Sequence, residues 1–317
     1  MFIQVVILLA SLVVLGFAAN YLVESSIRLA RRFGVSEMFI GLTVVAMGTS
    51  APELAVSAFS ALKGQGDLSV GNVIGSNIFN LGFILGLVAL ISAQAIPKKM
   101  VKRDGLILLG ASFLVLIFMF DLHIVFFEGL ILIIALLAYL TYLWWKKDVP
   151  DEAEEVSGQA SWRDYLIFVV SLAFLVKSSD YTVSSATWIA QYFHISAWAI
   201  GATIVAAGTS LPEMATSIIA TLKKKYGLSV GNVIGSDIFN TFGIIGLSSA
   251  IAPISLQPSR YIFGLADSVF SVVLLIATLI MILIFMRTDW KISRKEGLII
   301  FLTAVARMIF EIYLGKS

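Results

Sequence analysis

"GLTVVAMGTSAPELAVSAFSALK", residues 41–63, is apolar enough to cross a bilayer, yet it carries Pro52 and Glu53 near its middle. The same anomaly recurs 160 positions later as "GATIVAAGTSLPEMATSIIATLK", residues 201–223. Behind each copy stands a second block, "LSVGNVIGSNIFN" at 68–80 and "LSVGNVIGSDIFN" at 228–240. Over residues 37–81 the constant offset gives 26 identities in 45 positions without a gap, which is a duplication and not a coincidence.

The composition around these blocks names the solvent. Of 317 residues, 59% are apolar and 13% charged, and the mean hydropathy is +0.97, so the class is an all-α polytopic membrane protein with no large soluble domain. The chain has no cysteine, which removes disulfides, thiolate metal sites and thiol catalysis. His123 and His194 lie far apart at expected segment ends and make a poor transition-metal pair. The first apolar run lacks a basic leader and is too long for a signal peptide, so it is expected to be the first span.

Hydropathy predicts ten spans, at 3–23, 37–62, 68–92, 104–120, 124–145, 165–186, 197–222, 228–252, 262–286 and 297–314. Alternate connections hold Arg28, Arg31 and Arg32; Lys98, Lys99, Lys102 and Arg103; Lys146, Lys147 and Arg163; Lys223, Lys224 and Lys225; and Arg287, Lys291, Arg294 and Lys295. The opposite connections hold Lys63, Arg260 and Lys316, and this count of 17 against three predicts that both termini lie outside the cytoplasm of a cell membrane. Five spans per copy is an odd number, so the second copy enters the membrane upside down. The expected division is 1–145 for the first five-helix repeat, 146–164 for a polar cytoplasmic linker and 165–317 for the inverted repeat. Its acidic linker lacks the glycine-turned spacing of a calcium loop.

Pro52 cannot donate to the carbonyl of Gly48, so the helix is expected to kink and to free carbonyls near residues 46–48 at the midplane. Thr49, Ser50 and Glu53 add oxygens at that level, with Thr49 and Glu53 one turn apart on a common face. In the second block Ser76 and Asn80, and likewise Ser236 and Asn240, project neutral oxygens from one face. Gly71, Gly75, Gly231 and Gly235 are read as close-packing positions. A mid-bilayer carboxylate costs roughly 2.5 to 3.5 kcal/mol, and no lysine or arginine in the duplicated segments matches its depth. A hard cation from solution, such as calcium, sodium, magnesium or manganese, is the expected partner of Glu53 and Glu213.

"GTSAPE" and "GTSLPE", followed by "GNVIGSN" and "GNVIGSD", resemble the alpha-repeats of the calcium/cation antiporter superfamily, in particular its prokaryotic sodium/calcium exchangers. The resemblance spans nearly the whole chain. It implies a secondary active antiporter working by alternating access, with about three sodium ions per calcium, no cofactor beyond the transported ions, and function as a monomer. Glu53 and Glu213 would then be the chief calcium carboxylates, Thr49 and Thr209 would give oxygens near calcium, and Ser50, Ser210, Ser76 and Ser236 would line sodium sites. The carbonyls of Ala46 and Ala206 match sodium ligands of the family, and Asn80 matches its asparagine. Potassium-dependent relatives, and some prokaryotic exchangers, carry aspartate where this chain has Asn240; the carboxylate stands instead at Asp237, read as lying outside the ion's immediate shell.

Other functions fit less well. An intramembrane protease using Asp180 and Asp267 leaves the duplicated blocks unexplained, so no enzyme is expected; Lys177 pairs with Asp180, and Asp104 and Asp267 are read as helix-start acids. A channel has no need of an inverted pair of broken helices. Proton/calcium exchange is the alternative, although such relatives place glutamate in the second block near positions occupied here by Ile74 and Ser76. The bilayer and the two ions are the expected partners, and nucleic acid is not.

Overall fold

The structure, a computed structural model, describes residues 1–146, 161–193, 206–257 and 261–314. Helix α1 (Phe2–Phe33) runs ten residues past its expected end, until Gly34 turns left-handed at φ 64 and its N–H caps the carbonyls of Ala30 and Arg31. Its polar last turns are held by ion pairs: Lys223 Nζ lies 2.7 Å from Glu24, and Arg28 Nε lies 2.5 Å from Asp164. Helix α2 (Glu37–Thr49) starts at Ser36, whose Oγ accepts the Phe39 N–H, and meets α3 (Ala51–Leu62) at a bend of 48°. There follow α4 (Gly66–Ile91), α5 (Leu106–Phe118, entered through a wide turn at Met100–Gly105), α6 (Phe126–Lys146) and α7 (Trp162–Tyr192). After a turn at Ala206–Gly208 come α8 (Leu211–Leu222), α9 (Tyr226–Ile251), α10 (Asp267–Arg287) and α11 (Arg294–Leu314).

Among the described residues six helices are long and apolar enough to cross a membrane, and the broken pair α2–α3 makes a seventh. The shorter or more polar α5, α8 and α11 occupy the places of the other expected spans. One boundary moves for a local reason: α7 begins at Trp162 and not at 165, because Ser161 and Asp164 form a reciprocal capping box; the helix also continues past its expected end to Tyr192. The linker residues 147–160 and His194 lie outside the described residues.

Helices α4 and α9 form the centre, with 67% and 78% of their apolar windows enclosed, against 22% for α1. Both widen to π geometry at matching places, Phe79–Ile84 and Phe239–Ile244, so that Asn80 and Asn240 sit where the helical ladder is loosened. Helix α9 crosses α2 closely: a Cβ on Gly235 would stand 2.6 Å from the Leu42 Cα and one on Gly231 2.9 Å from the Met38 carbonyl oxygen, which fits the packing role expected for these two. Gly71 and Gly75 of α4, in contrast, are exposed with no atom within 4 Å and do not pack as expected.

Two strand pairs stitch the halves together at opposite ends. Gln94–Ala95 pairs antiparallel with Lys291–Ile292, and His123–Ile124 pairs with Ile254–Ser255, each pair joining a segment of one half to a segment of the other. The basic connections collect at one end, where Lys225 reaches Glu37 at 2.9 Å and Lys98 lies over the Trp290 ring. At the other end Asp67 accepts the Gln257 N–H.

Two of the expected charge roles hold and one changes. Lys177 lies 3.6 Å from Asp180, and Asp267 opens α10 by accepting the Ser268 N–H. Asp104 is no cap: it is fully buried, paired with Arg103 at 2.8 Å and bonded by the Tyr139 hydroxyl at 2.9 Å. Burial drives this, since a carboxylate without water needs donors at close range.

Candidate cation-binding site

Pro52 lies in the first turn of a new helix, where a missing N–H costs nothing, and Pro212 does the same in α8. The expected kink in one helix is therefore a break, with Ser50 at φ −79, ψ 9 and Ser210 at φ −87, ψ 8. Glu53 and Glu213 fall in the first turns of α3 and α8, where the helix dipole favours negative charge. The carbonyl of Ala46, expected to be free, accepts the Ser50 N–H at 3.0 Å and the Thr49 hydroxyl at 3.3 Å, because only Pro52 lacks a donor and the ladder stays closed up to Ser50. Ala206 opens its turn at the equivalent place.

The break redirects the hydroxyls. Thr49 and Glu53 do not form a local pair; each carboxylate takes one hydroxyl from the other half of the chain and one from its own. Ser50 Oγ donates to Glu213 Oε1 at 3.0 Å, and Ser210 Oγ donates to Glu53 Oε1 at 3.1 Å. Ser236 and Ser76 reach the same two oxygens from the second blocks, each at 3.5 Å. Thr49 lies 3.5 Å from Ser236, and Thr209 lies 3.4 Å from Ser76. Asn232 and Asn72 hold the backbones: their amides donate to the carbonyls of Glu213 and Glu53 and to Ser217 and Ser57.

One layer further along, the Asn80 amide donates to Asp237 Oδ1 at 2.9 Å, and the Asn240 amide donates to Asn77 Oδ1 at 3.0 Å. Asn77 in turn donates to Thr241 Oγ1 at 2.8 Å. These side chains are buried, Ser76 being 1% exposed, apart from Thr209 and Asn72, which are half-buried.

The decisive feature is what lacks a partner. Glu53 Oε2, Glu213 Oε2, Asn80 Oδ1, Asn240 Oδ1 and Asp237 Oδ2 are buried acceptor oxygens with no donor. An unsatisfied buried polar group costs on the order of 1 to 3 kcal/mol, and more when charged. Five such oxygens from two helix pairs match the donor set of a hard cation, which takes oxygen ligands and supplies charge where no lysine or arginine does. Among the described residues no cluster of three His, Cys, Asp or Glu side chains forms, which fits a site built from hydroxyl and amide oxygens around few carboxylates.

A family profile described as "Sodium/calcium exchanger protein" matches residues 3–145 and 164–313, nearly the whole of both halves. The chain belongs to the sodium/calcium exchanger family. It is 36% identical over 320 residues to the putative antiporter CaxA of Alkalimonas amylolytica, covering 96% of this chain and 97% of that protein. It is 31% identical over 353 residues to the sodium/calcium exchanger MaX1 of Methanosarcina acetivorans, covering 97% and 98%. Among solved structures, the sodium-calcium exchanger NCX_Mj soaked with zero Na+ and Ca2+ is similar at a TM-score of 0.83 and 28% identity, covering 97% of this chain and 99% of that one.

In this exchanger-family chain the fold brings together the side chains expected on sequence grounds: Glu53, Glu213, Thr49, Thr209, Ser50, Ser210, Ser76, Ser236, Asn80 and Asn240. Sequence reasoning did not single out Asn72, Asn77, Asn232 and Thr241. It placed Asp237 outside the ion's immediate shell, at the cavity's edge or against a neighbouring helix, and Asp237 lies against Asn80 of the neighbouring central helix. The available signal was the polar spacing within "GNVIGSN" and "GNVIGSD", whose first and last polar residues lie five apart, in blocks where only the glycines and serines were assigned roles.

Proposed function

We propose that this membrane protein exchanges sodium for calcium by alternating access, with about three sodium ions moving against each calcium ion. Ten crossings arranged as two inverted repeats, 1–145 and 165–317 joined by 146–164, would carry the broken segments to the midplane from opposite sides. The observation that carries the reading is the set of five bare, buried oxygens at the crossing of the two halves, with Glu53 and Glu213 as its carboxylate core. Family membership narrows the hard cations to the pair named for the relatives.

In this reading Glu53 and Glu213 hold calcium with help from Thr49 and Thr209, while Ser50, Ser210, Ser76, Ser236 and the backbone at Ala46 and Ala206 serve sodium. Each carboxylate depends on hydroxyls of the opposite repeat, so an ion at the centre binds both halves at once. Movement of one half against the other then changes which face the ions see. The lysine and arginine count supports a cell-membrane orientation with the basic end in the cytoplasm and both termini outside.

The test is calcium uptake by proteoliposomes. A sodium gradient should drive uptake with potassium absent from both sides, since Asn240 is neutral where potassium-dependent relatives carry a carboxylate. Uptake driven by a proton gradient and not by sodium would replace this reading with proton/calcium exchange.

A further inference from the structure

Away from the ion path, a groove of about 330 Å³ opens between α5 of the first half and α10 of the second, at the end where the basic connections gather. Its walls include Leu109, Ile280 and Leu283, and its rim carries Lys102, Arg287 and Trp290. Leu106 and Ile284 on its lip are 56% and 59% exposed, so the groove faces the hydrocarbon of the bilayer and not the ion site.

The charges at the rim are uncompensated. Lys98 and Lys102 lie 5.2 and 5.8 Å from the centre of the Trp290 ring, and among the described residues no carboxylate forms an ion pair with Lys98, Lys102 or Arg287. Their neighbours differ: Arg103 is bound to Asp104, and Lys291 lies near Asp289. Cations beside a tryptophan at the membrane surface, above an apolar slot, are complementary to a molecule with an anionic head and a hydrocarbon tail.

The duplication supplies an internal comparison. The offset of 160 puts Ile262 where Lys102 stands. The offset of 168 that relates strand His123–Ile124 to Lys291–Ile292 puts Met119 at the place of Arg287 and Leu122 at the place of Trp290. At the opposite end the chain there forms a hairpin, Tyr261–Ile262 with Leu265–Ala266, where the basic end has the turn Met100–Gly105. The cationic rim is therefore no by-product of the repeated architecture. A general excess of positive charge on one face accounts for its sign, but not for Lys102 and Arg287 meeting at the rim of one groove without a carboxylate, with Lys98 over the tryptophan beside them.

We propose that this groove binds one anionic phospholipid from the leaflet at the basic end. The phosphate lies between Lys102 and Arg287, and one acyl chain runs along Leu109, Ile280 and Leu283. Because α5 and α10 belong to different halves, the lipid bridges the two repeats at that end. Nothing in the assignment depends on which ions are exchanged, and its test uses no transport measurement.

The experiment uses the purified full chain, stripped of lipid in detergent. Phosphatidylglycerol and phosphatidylcholine of identical chains are added in turn, and retention is read by native mass spectrometry alongside the thermal midpoint. Phosphatidylglycerol should be retained preferentially and raise the midpoint, and phosphatidylcholine should do neither. A basic side chain near an anionic headgroup contributes roughly a factor of five, so a Lys102→Ala, Arg287→Ala double variant should lose about 25-fold in retention with an unchanged lipid-free midpoint. If that variant folds poorly, Lys102→Gln alone should lose about fivefold by the same reckoning. Filling the slot with Leu109→Trp should also abolish retention while every cation remains. Equal retention of the two lipids, undiminished retention by the charge variants, or an equal midpoint shift with glycerol phosphate alone would each overturn the assignment.

Discussion

The amide of Asn80 donates to Asp237 Oδ1 at 2.9 Å, across the interface between the two halves of the chain. Its counterpart, Asn240 with Asn77, has the same geometry but an amide in place of the carboxyl. In both pairs the residue three before the asparagine holds a partner's NH2 and leaves that partner's oxygen bare. Asn77 spends its own NH2 on Thr241, whereas the position equivalent to Thr241 is Leu81, which has nothing to accept. An aspartate at 237 avoids a stranded donor there and adds a negative charge to one side only.

That charge makes the first prediction. With Glu53, Glu213 and Asp237 ionised around bound cations, the calcium-loaded carrier bears one net negative charge and the carrier loaded with three sodium ions bears none. Asp237→Asn should reverse this, leaving the calcium form neutral and the sodium form positive. A charge crossing the full field feels roughly 2.3 kcal/mol per 100 mV. Calcium/calcium self-exchange should therefore depend on voltage in the native protein and lose that dependence in Asp237→Asn. Identical voltage profiles in the two proteins would remove Asp237 from the ion's field.

The two glutamates should separate function from stability. Glu53→Gln or Glu213→Gln keeps the shape but removes a buried charge whose second oxygen has no donor. Calcium uptake should fall to background, while the thermal midpoint in ion-free detergent should hold or rise, as is common when a strained functional group is neutralised. The increase in midpoint on adding calcium should vanish. Normal sodium-driven uptake by both variants would refute the assignment.

Ser50 and Ser210 occupy equivalent places, each donating to the opposite glutamate at 3.0 and 3.1 Å. A hydrogen bond to a charged group contributes about 1.5–3 kcal/mol, so Ser50→Ala and Ser210→Ala should each raise the half-saturating calcium concentration by roughly tenfold or more. The two shifts should be alike. A large effect from one and none from the other would show that the halves do not share the ion.

Three sodium ions against one calcium move one net positive charge per cycle, whatever the cavity itself carries. An inside-positive potential should accelerate uptake by sodium-loaded vesicles, because the excess charge leaves with sodium. Indifference to voltage of either sign would point to two sodium ions per calcium.

Gly235 offers a test of packing alone. A Cβ there would press on the Leu42 backbone at 2.6 to 2.8 Å, which no rotamer can relieve. Gly235→Ala should lower stability by about 1–3 kcal/mol or more, read as a reduced thermal midpoint without any change in ion-induced stabilisation per bound ion. A midpoint equal to the native one would mean that α2 and α9 can separate freely.

Much of this was legible before any coordinates. Periodicity and hydropathy are local properties, so the apolar helices and the duplication could be read from residues close together in the chain. The isolation of Glu53 and Glu213 from any lysine or arginine was equally plain, since both lie in apolar runs without a nearby cation. The partners of those carboxylates were not legible. Thr49 stands one turn from Glu53 along the chain, and an unbroken helix would have paired them; the break at Ser50 sends Thr49 toward Ser236 and Ser50 to Glu213. Asp237 shows the same limit. Three residues from Asn240 on its own helix, it gains its role only from Asn80, 157 residues away. Sequence spacing governs contacts within a helix, whereas a site at the crossing of two halves depends on how they turn toward each other, and packing of the whole bundle decides that.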